Sequence, residues 1–537
     1  MFTKNRLFST ASKLSHLTDA QLIWIALLIS LPAFLIHLGA VAFIGDEAIR
    51  SLVAYEMNLS ENYLVPTLNG EAYFNKPPLF NWFIILMSEL FGFYGEWPTR
   101  MVTIFFLSLY AWTIFYFIRK HFDQLTAISM TFMMLTCGRI LVWDSMLGLI
   151  DICFSFIVYL NFMVIYHYRQ KERWLPLFIL SYLLCSIAFL LKGIPAIVFQ
   201  AISIVTALYL FGELKRKLFS KEHLIGILIG VIPILVYYFS YAYYVSLHTV
   251  IQVLIEQSMQ RTATHHGLYK TFIHLFTFPF EQVYHFLPWS VLLVFIFHPK
   301  FLIWVNSQAF IRFNFWMMVL NLPVYWLSVE VYPRYLLMFV PMFNITMFYI
   351  LQQTKLLNSW YWNRIHILFL IFLLIAANFI LFFPLDSRIQ YVDGVLWIWL
   401  ASTILIIFAI LGLLGDERRM VLWFAIGILI LRLTFSAVVL PIRAQTCSEN
   451  KCRESCLAMR TKYIGNTWYI YDTTQIHQVA RFYTTYFGSE IIRKTKDPEI
   501  KNGIYLVDLN LYPDFKGRIV DTLLLEKGEI IQLMKND

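Results

Sequence analysis

Charged residues are scarce in this chain of 537 residues, because Asp, Glu, Lys and Arg together contribute only 14% of it. Hydrophobic residues contribute 59% and aromatic residues 18%. This balance excludes an ordinary globular protein. No internal repeat or low-complexity segment is evident. No small-residue cleavage site follows the first apolar run, so we interpret that run as a retained span rather than a signal peptide.

Apolar runs of about twenty residues, long enough to cross a bilayer, recur along the chain. They predict a polytopic α-helical membrane protein with thirteen spans, near residues 22–43, 98–118, 124–142, 146–167, 174–191, 194–211, 224–245, 287–303, 313–329, 334–353, 365–384, 394–414 and 420–440. The basic residues behind the formal net charge of +9 fall between these runs. That distribution indicates membrane topology rather than a nucleic-acid-binding stripe.

The Lys and Arg residues between the runs are divided unequally between the two sides. If the N-terminus lies inside, 18 of them fall on the inside and nine fall in the outer loops and at their edges. The positive-inside rule supports this orientation. An odd number of spans then places residues 441–537 outside the cytoplasm, after a transmembrane domain formed by residues 1–440.

Residues 441–537 do not have the apolar composition of the preceding membrane domain. Three of their segments are rich in β-branched and aromatic residues, and one has a helical pattern, so we predict a small α/β domain. The predicted strands are 468–471, 504–507 and 519–525, and the predicted helix is 475–486.

Three of the six cysteines, Cys447, Cys452 and Cys456, cluster at the start of this tail. Outside the cytoplasm thiols can be oxidised, so we favour one disulfide among them. The alternative is a metal knuckle, for which no fourth ligand lies nearby in the sequence. Both interpretations depend on the predicted topology.

The first apolar run ends directly on two adjacent carboxylates, Asp46 and Glu47. In isolation, such a pair is explained by helix capping or by snorkelling at the membrane surface. The outer loop that follows, residues 44–97, also contains Lys76, whose backbone is stiffened by two consecutive prolines. Charges at the mouth of a membrane helix are costly, so we interpret these residues as parts of a functional site.

Further charged residues lie at the same predicted membrane face. Asp144 and Asp151 follow Arg139, and the two acids would lie two turns apart on one face if the stretch is helical. The other cations on this side are Lys192, Arg261 and Arg334. Each alone is explained as an interfacial anchor, whereas together they could bind a phosphate or pyrophosphate.

The second long outer loop, residues 246–286, contains His265 and His266. The two histidines could bind a divalent metal, or they could simply be exposed loop residues. The second interpretation is supported by the absence of carboxylate partners at ligand spacing. A divalent metal is the one cofactor that the sequence suggests.

The order of these motifs resembles that in the membrane glycosyltransferases of GT-C fold. The similar motifs are Gly45-Asp46-Glu47, Asn69-Gly70, Lys76-Pro77-Pro78-Leu79 with Trp82, Arg139 with Asp144, Lys192-Gly193 and Pro333-Arg334-Tyr335. Within that fold, the chain is most similar to bacterial lipid A aminoarabinose transferases and their protein O-mannosyltransferase relatives. The resemblance implies that a monosaccharide is transferred from a polyprenyl-phosphate carrier to a lipid A, glycan or protein acceptor. It further implies a bacterial inner-membrane protein whose active site and tail face the periplasm.

The resemblance also implies roles for individual residues. Asp46 corresponds to the essential first-loop acid, with Glu47 beside it, and Lys76 corresponds to the contact with the carrier phosphate. The second acid is Asp144 or Asp151. The remaining implied residues are Lys192, Arg261 and Arg334 for the carrier phosphate, and Tyr73, Trp82 and Tyr335 for contacts with the carrier or acceptor.

One position departs from the aminoarabinose transferases. They have a glutamate directly before Lys-Pro-Pro and use it with a second-loop histidine at a metal site, whereas this chain has Asn75 there. The departure weakens the expectation of a metal, and with it the expectation of the same sugar.

The chemistry of glycosyl transfer agrees with these residue types. A sugar joined to a phosphate already has a good leaving group, so the reaction needs a base for the acceptor hydroxyl and cations for the departing phosphate. Asp46 and Lys76 supply one of each. The surrounding apolar surface would hold the isoprenoid chain of the carrier.

Two other classes of protein would share some of these features. A transporter or flippase for lipid-linked sugars would also have many spans and intramembrane acids. A non-catalytic protein of envelope assembly would use Asp46 and Lys76 as a structural ion pair. The charges cluster at one outer face rather than near the midplane, and no inverted repeat is visible, so we favour the transferase. Its expected partners are the lipid-linked donor, the acceptor and membrane lipids, without nucleic acid.

Overall fold

The computed structural model describes residues 16–259, 268–357, 359–500 and 502–535. Up to residue 446 the described residues are mainly helical. Their α-helices are α1 Asp19–Leu35, α2 Asp46–Leu59, α3 Leu79–Phe91, α4 Glu96–Arg119, α5 Gln124–Leu135, α6 Gly138–Val142, α7 Ile150–Gln170, α8 Trp174–Lys192, α9 Pro195–Leu210, α10 Leu214–Lys217, α11 Lys221–Ala242, α12 Leu247–Met259, α13 Leu268–His285, α14 Phe301–Ser307, α15 Ala309–Asn321, α16 Pro323–Trp326, α17 Val340–Leu357, α18 Ser359–Phe382, α19 Val395–Gly415 and α20 Met420–Thr446. A short hairpin of β1 Thr67–Leu68 and β2 Glu71–Ala72 lies between α2 and α3.

Short 3-10 segments connect or extend several of these helices. They are Asp144–Met146, Trp289–Phe297, Pro333–Phe339, Phe383–Leu385, Ser387–Tyr391 and Glu417–Arg419. The segment Pro333–Phe339 runs directly into α17, so the two form one continuous span.

The predicted polytopic α-helical architecture is confirmed. Among the described residues, eight helices are long and apolar enough to cross a membrane, and two bent pairs raise the number to ten. The bent pairs match the predicted spans 124–142 and 287–303, with bends of 52° and 108°. The other three predicted spans match shorter helices, α1, α9 and α15, of 17, 16 and 13 residues.

The first helix is shorter than the predicted span, and a buried arginine binds a backbone carbonyl at its C-terminal end. Helix α1 stops at Leu35, so the carbonyl of Ala33 has no amide donor one turn further on. Arg432, buried in the middle of α20, donates from Nε to that carbonyl at 3.1 Å, and Ser436 Oγ donates to it at 2.8 Å. A cation at a helix C-terminus is also favoured by the helix dipole. Residues 36–44 therefore continue as irregular chain.

A fully buried ion pair between Arg100 and Glu47 connects four parts of the chain. The Arg100 guanidinium lies 2.7 Å from Glu47 Oε1, and it donates to the carbonyls of Leu38, Val41 and Ala42 at 2.7, 2.8 and 3.1 Å. The irregular segment after α1 is thereby attached to the starts of α2 and α4.

Glu47 completes the network by accepting backbone hydrogen bonds. The amides of Ile44 and Gly148 donate to its two oxygens at 2.8 and 2.9 Å. Gly148 lies so close to Thr99 that a Cβ there would approach the threonine methyl group to 2.2 Å. This contact fixes the loop that leads into α7, and with it Asp151.

The C-terminal part is the small α/β domain that the sequence predicts. It contains α21 Ser448–Lys462, α22 Gln478–Gly488 and strands β3 Thr467–Tyr471, β4 Arg493–Thr495, β5 Gly503–Val507, β6 Arg518–Leu524 and β7 Ile530–Lys535. The strand order is β4-β3-β5-β7-β6, with β3 parallel to β4 and β5 and with β7 antiparallel to β5 and β6. The three predicted strands are confirmed, whereas α21, β4 and β7 were missed.

The predicted disulfide is wrong, because all six cysteines are free thiols. Cys452 and Cys456 are buried four residues apart on α21. At that spacing Cβ atoms lie about 5–6 Å apart, whereas a disulfide needs about 3.8 Å. Among the described residues no three His, Cys, Asp or Glu side chains could hold a metal, so a knuckle is absent as well.

The C-terminal domain and the first outer segment share one hydrophobic core. The ring of Phe43 packs edge-on against Phe482 at 4.7 Å, and Tyr55 packs against Tyr486 at 5.5 Å. Helix α2 is therefore largely enclosed by protein. Helix α20 ends at Thr446, and the division of the chain at residue 440 stays a prediction.

Replacing Glu47 by Ala is expected to destabilise the protein strongly. Arg100 would keep a buried charge without its carboxylate, which costs about 3–5 kcal/mol. Thermal unfolding of the purified protein in detergent measures the loss. The exposed Glu454→Ala substitution in α21 serves as the control, and equal midpoints for the two variants would contradict the role of the ion pair.

Candidate active site

A cavity of about 270 Å³ opens where α2, the segment before α3, the start of α7, the end of α8 and the segment Pro333–Phe339 meet. We call it the outer cavity. Its lining residues are Asp46, Ile49, Arg50, Tyr73, Asn75, Lys76, Leu149, Ile150, Asp151, Lys192, Arg334 and Tyr335. Seven of the predicted site residues are among them, although they come from five separate parts of the chain.

Ion pairs connect both acids of the outer cavity to its cations. Asp151 Oδ1 lies 2.6 Å from Lys192 Nζ, and Asp151 Oδ2 lies 3.0 Å from Arg334 Nε. Arg334 Nη2 lies 3.1 Å from Asp46 Oδ2. Arg334 therefore bridges the two carboxylates. The ammonium of Lys192 also lies 3.7 Å from the centroid of the Tyr335 ring.

The two carboxylates have different surroundings. The Asp151 side chain is only 9% exposed, and each of its oxygens contacts a cation. The Asp46 side chain is 57% exposed. It begins α2 after Gly45, whose φ of +56° is readily adopted only by glycine. Asp46 is therefore the carboxylate that an incoming molecule can reach.

Lys76 is positioned by the hairpin that precedes it. The carboxylate of Glu56 accepts hydrogen bonds from Thr67 Oγ1 and from the amides of Asn69 and Gly70 at 2.8, 2.7 and 3.1 Å. Burial raises the pKa of Glu56 above its ordinary value, and these hydrogen bonds offset only part of that shift. The chain then passes along the cavity wall and enters α3 after the two prolines.

The site also contains an arginine that sequence reasoning missed. Arg50 lines the outer cavity, its residue is 8% exposed, and its Nη1 has no hydrogen-bond partner in the described part of the chain. Its guanidinium carbon lies 5.7 Å from the ring centroid of Tyr73. A signal existed in the sequence, since Arg50 follows the Asp-Glu pair by one helical turn.

Three predicted site residues lie outside the cavity lining. Glu47 is fully buried and belongs to the ion pair with Arg100. Asp144 pairs with Arg139 at 2.7 Å, and Trp82 packs against Tyr237 while its indole N–H donates to a backbone carbonyl. Glu47 and Trp82 therefore contact other parts of the chain and do not line the cavity.

The stretch from Asp144 to Asp151 is not one continuous helix, so the condition for the predicted shared face is not met. A 3-10 turn at Asp144–Met146 and an extended stretch interrupt the helix before α7 begins at Ile150. The two acids consequently pair with different cations, and of the two it is Asp151 that lines the cavity.

The described parts of the second outer loop lie outside the lining of the outer cavity. The described parts of residues 246–286 form α12 and α13, and none of their residues lines the outer cavity. Arg261, His265 and His266 lie outside the described residues, so their roles stay predictions. Asn75 lines the cavity at the position that departs from the aminoarabinose transferases.

Comparisons with known proteins agree with this architecture. A family model described as dolichyl-phosphate-mannose-protein mannosyltransferase matches residues 75–239. A protein of Aquifex aeolicus (strain VF5), described as uncharacterized, is 25% identical over 243 residues. That match covers 44% of this chain and 47% of the relative, so the chain spans about half of the relative's length.

Two crystal structures of ArnT from Cupriavidus metallidurans are similar over nearly the whole chain. The structure bound to undecaprenyl phosphate has a TM-score of 0.71 at 16% identity, covering 96% of this chain and 98% of ArnT. The apo structure has a TM-score of 0.66 at 15% identity, covering 95% and 97%. The predicted resemblance is confirmed: this multi-pass membrane protein has the GT-C fold and resembles ArnT and the protein mannosyltransferases.

Proposed function

We propose that this protein is a glycosyltransferase that moves a monosaccharide from a polyprenyl-phosphate carrier to a lipid A, glycan or protein acceptor. The observation that carries the proposal is the outer cavity, where Arg334 bridges Asp46 and Asp151 beside Lys76. The binding of undecaprenyl phosphate by ArnT, which shares the fold, supports a carrier of that class.

Asp46 acts as the base in this proposal. As the acceptor oxygen forms a bond to the anomeric carbon of the sugar, its proton passes to a carboxylate, and the bond from that carbon to the phosphate oxygen breaks. Asp46 is exposed, whereas both oxygens of Asp151 are engaged by cations. Asp151 instead orients Lys192 and Arg334.

The departing phosphate takes the electron pair of the broken bond, so it needs positive charge nearby. Lys76 and Arg334 line the cavity beside Asp46, and the guanidinium of Arg50 presents a donor that has no partner among the described residues. Fixed cations that are already oriented toward the developing charge stabilise it. We propose that these three residues contact the phosphate.

The position of the charges favours a transferase over a transporter. Asp151 lies in the first turn of α7, Lys192 ends α8, and Arg334 begins the span that continues into α17. All three thus lie at helix ends on one side, whereas transporters place substrate sites near the midplane. The site accordingly suits a carrier whose lipid tail stays in one leaflet.

Replacing Asp46 by Asn is expected to lower the rate of transfer by a factor of about 100 or more, because the amide cannot accept the proton. A deletion strain complemented with wild type or variant, followed by mass spectrometry of envelope lipids and glycans, identifies the product. Turnover is then measured with purified protein.

The matched control for this variant is Glu61→Gln. Glu61 is an exposed carboxylate of the same outer segment and does not line the cavity. Near-normal turnover of the Asp46 variant would refute the assignment of the base, whereas a loss shared by both variants would point to a general disturbance of the segment.

Replacing Lys76 by Ala is expected to weaken binding of undecaprenyl phosphate at least about tenfold, because a charge-assisted contact is lost. Binding to the purified protein is measured directly, so the result does not depend on the sugar. Lys76→Arg, which keeps the charge, and Lys451→Ala, at an exposed site of α21, are the comparison variants. An unchanged dissociation constant for Lys76→Ala would remove this lysine from the phosphate site.

We further propose that the cavity and the C-terminal domain face the periplasm. A cysteine introduced at Ile464, a residue that is 81% exposed, should react with a membrane-impermeant maleimide in intact spheroplasts. The parent protein is the control, since five of its thiols are buried. Labelling only after the membrane is permeabilised would reverse the proposed orientation.

A further inference from the structure

A second cavity, of about 380 Å³, lies at the other end of the membrane domain. Helix α4 begins at Glu96, next to Arg453 of the C-terminal domain, and runs for 24 residues to Arg119. A helix of that length spans roughly 36 Å. The cavity is formed just beyond that far end, by α5, α17, α18 and the start of α20. We call it the inner pocket.

The inner pocket contains both cations and an acid. Lys355 and Arg418 supply positive charge, and Asp123, at the start of α5, supplies a carboxylate. Lys355 is held in place by an aromatic ring, since its ammonium lies 3.9 Å from the ring centroid of Trp362. A ligand with an anionic group and a cationic group would match this set of charges.

A buried donor points to the anionic part of that ligand. Trp362 lines the pocket and is 4% exposed, yet its indole Nε1–H has no hydrogen-bond partner among the described residues. Buried polar groups are normally paired, and a buried tryptophan usually finds an acceptor for its N–H. An oxygen acceptor beside this N–H would satisfy it, and the Lys355 ammonium at the face of the same ring adds positive charge nearby.

The rest of the lining is mixed. It consists of the apolar side chains of Leu125, Phe348, Leu356 and Val421 and the polar side chains of Thr126, Ser129, Gln352 and Gln353. Such a mixture suits a headgroup whose acyl chains continue along the helices into the bilayer. Basic pockets between membrane helices are known to bind the headgroups of phospholipids. The volume also falls within the range of about 300–1,000 Å³ typical of ligand pockets.

We propose that the inner pocket binds the phosphoethanolamine headgroup of a membrane phospholipid. The phosphate accepts the Trp362 N–H and lies between Lys355 and Arg418, while the ammonium pairs with Asp123. This site is separate from the transfer reaction, and its test does not depend on the proposed function.

The test uses the full-length protein, delipidated in detergent and examined by native mass spectrometry with phosphatidylethanolamine or phosphatidylglycerol. Lys355→Gln and Trp362→Phe should each weaken binding of phosphatidylethanolamine, the lysine change by about tenfold or more. The phenylalanine keeps the ring and removes only the N–H, so it isolates the buried donor. Asp123→Asn should remove the preference for phosphatidylethanolamine over phosphatidylglycerol.

Arg364→Gln is the matched control, because Arg364 is an exposed cation of α18 that does not line the pocket. Binding that falls equally in Arg364→Gln and Lys355→Gln would reflect general surface charge and overturn the proposal. So would equal or tighter binding of phosphatidylglycerol by the unaltered protein. Displacement of the lipid by an equal concentration of inorganic phosphate would overturn it as well, because the site would then be specific for a soluble anion.

Discussion

The arrangement of the outer cavity depends on one fully buried ion pair, Glu47 with Arg100. Two charges without water are stable only when each oxygen and each N–H finds a partner. Here the carboxylate also accepts two backbone amides, and the guanidinium also donates to three carbonyls. The pair thereby fixes the start of α2 and the loop before α7. Those two elements carry Asp46 and Asp151.

Within the outer cavity, the two carboxylates differ in how many of their oxygens have a cation as partner. Each oxygen of Asp151 contacts a cation, Lys192 or Arg334, which supports the orienting role that we propose for it. Asp46 pairs with Arg334, and its side chain is 57% exposed. The two acids thus differ in accessibility, and that difference is the basis for proposing Asp46 as the base.

The C-terminal domain takes part in the same construction. Its helices α21 and α22 pack on residues 42–55, and the two parts share one hydrophobic core. Arg453 also pairs with Glu96 at 2.7 Å, at the start of the helix that carries Arg100. The C-terminal domain, which lacks the apolar composition of a membrane domain, therefore supports the helix ends that line the outer cavity.

The sequence by itself determined the features that depend on local composition and spacing. Apolar runs predicted the membrane helices, β-branched runs predicted β3, β5 and β6, and the Asp-Glu and Lys-Pro-Pro motifs predicted Asp46 and Lys76 at one site.

Only the tertiary structure decided between residues of the same type that lie in similar local sequence. Asp151 rather than Asp144 enters the cavity because the helix breaks between them, and Glu47 is buried because Arg100 folds onto it from another helix. Arg50 joins the site for the same reason: the distances between side chains are set by packing, which sequence spacing does not encode.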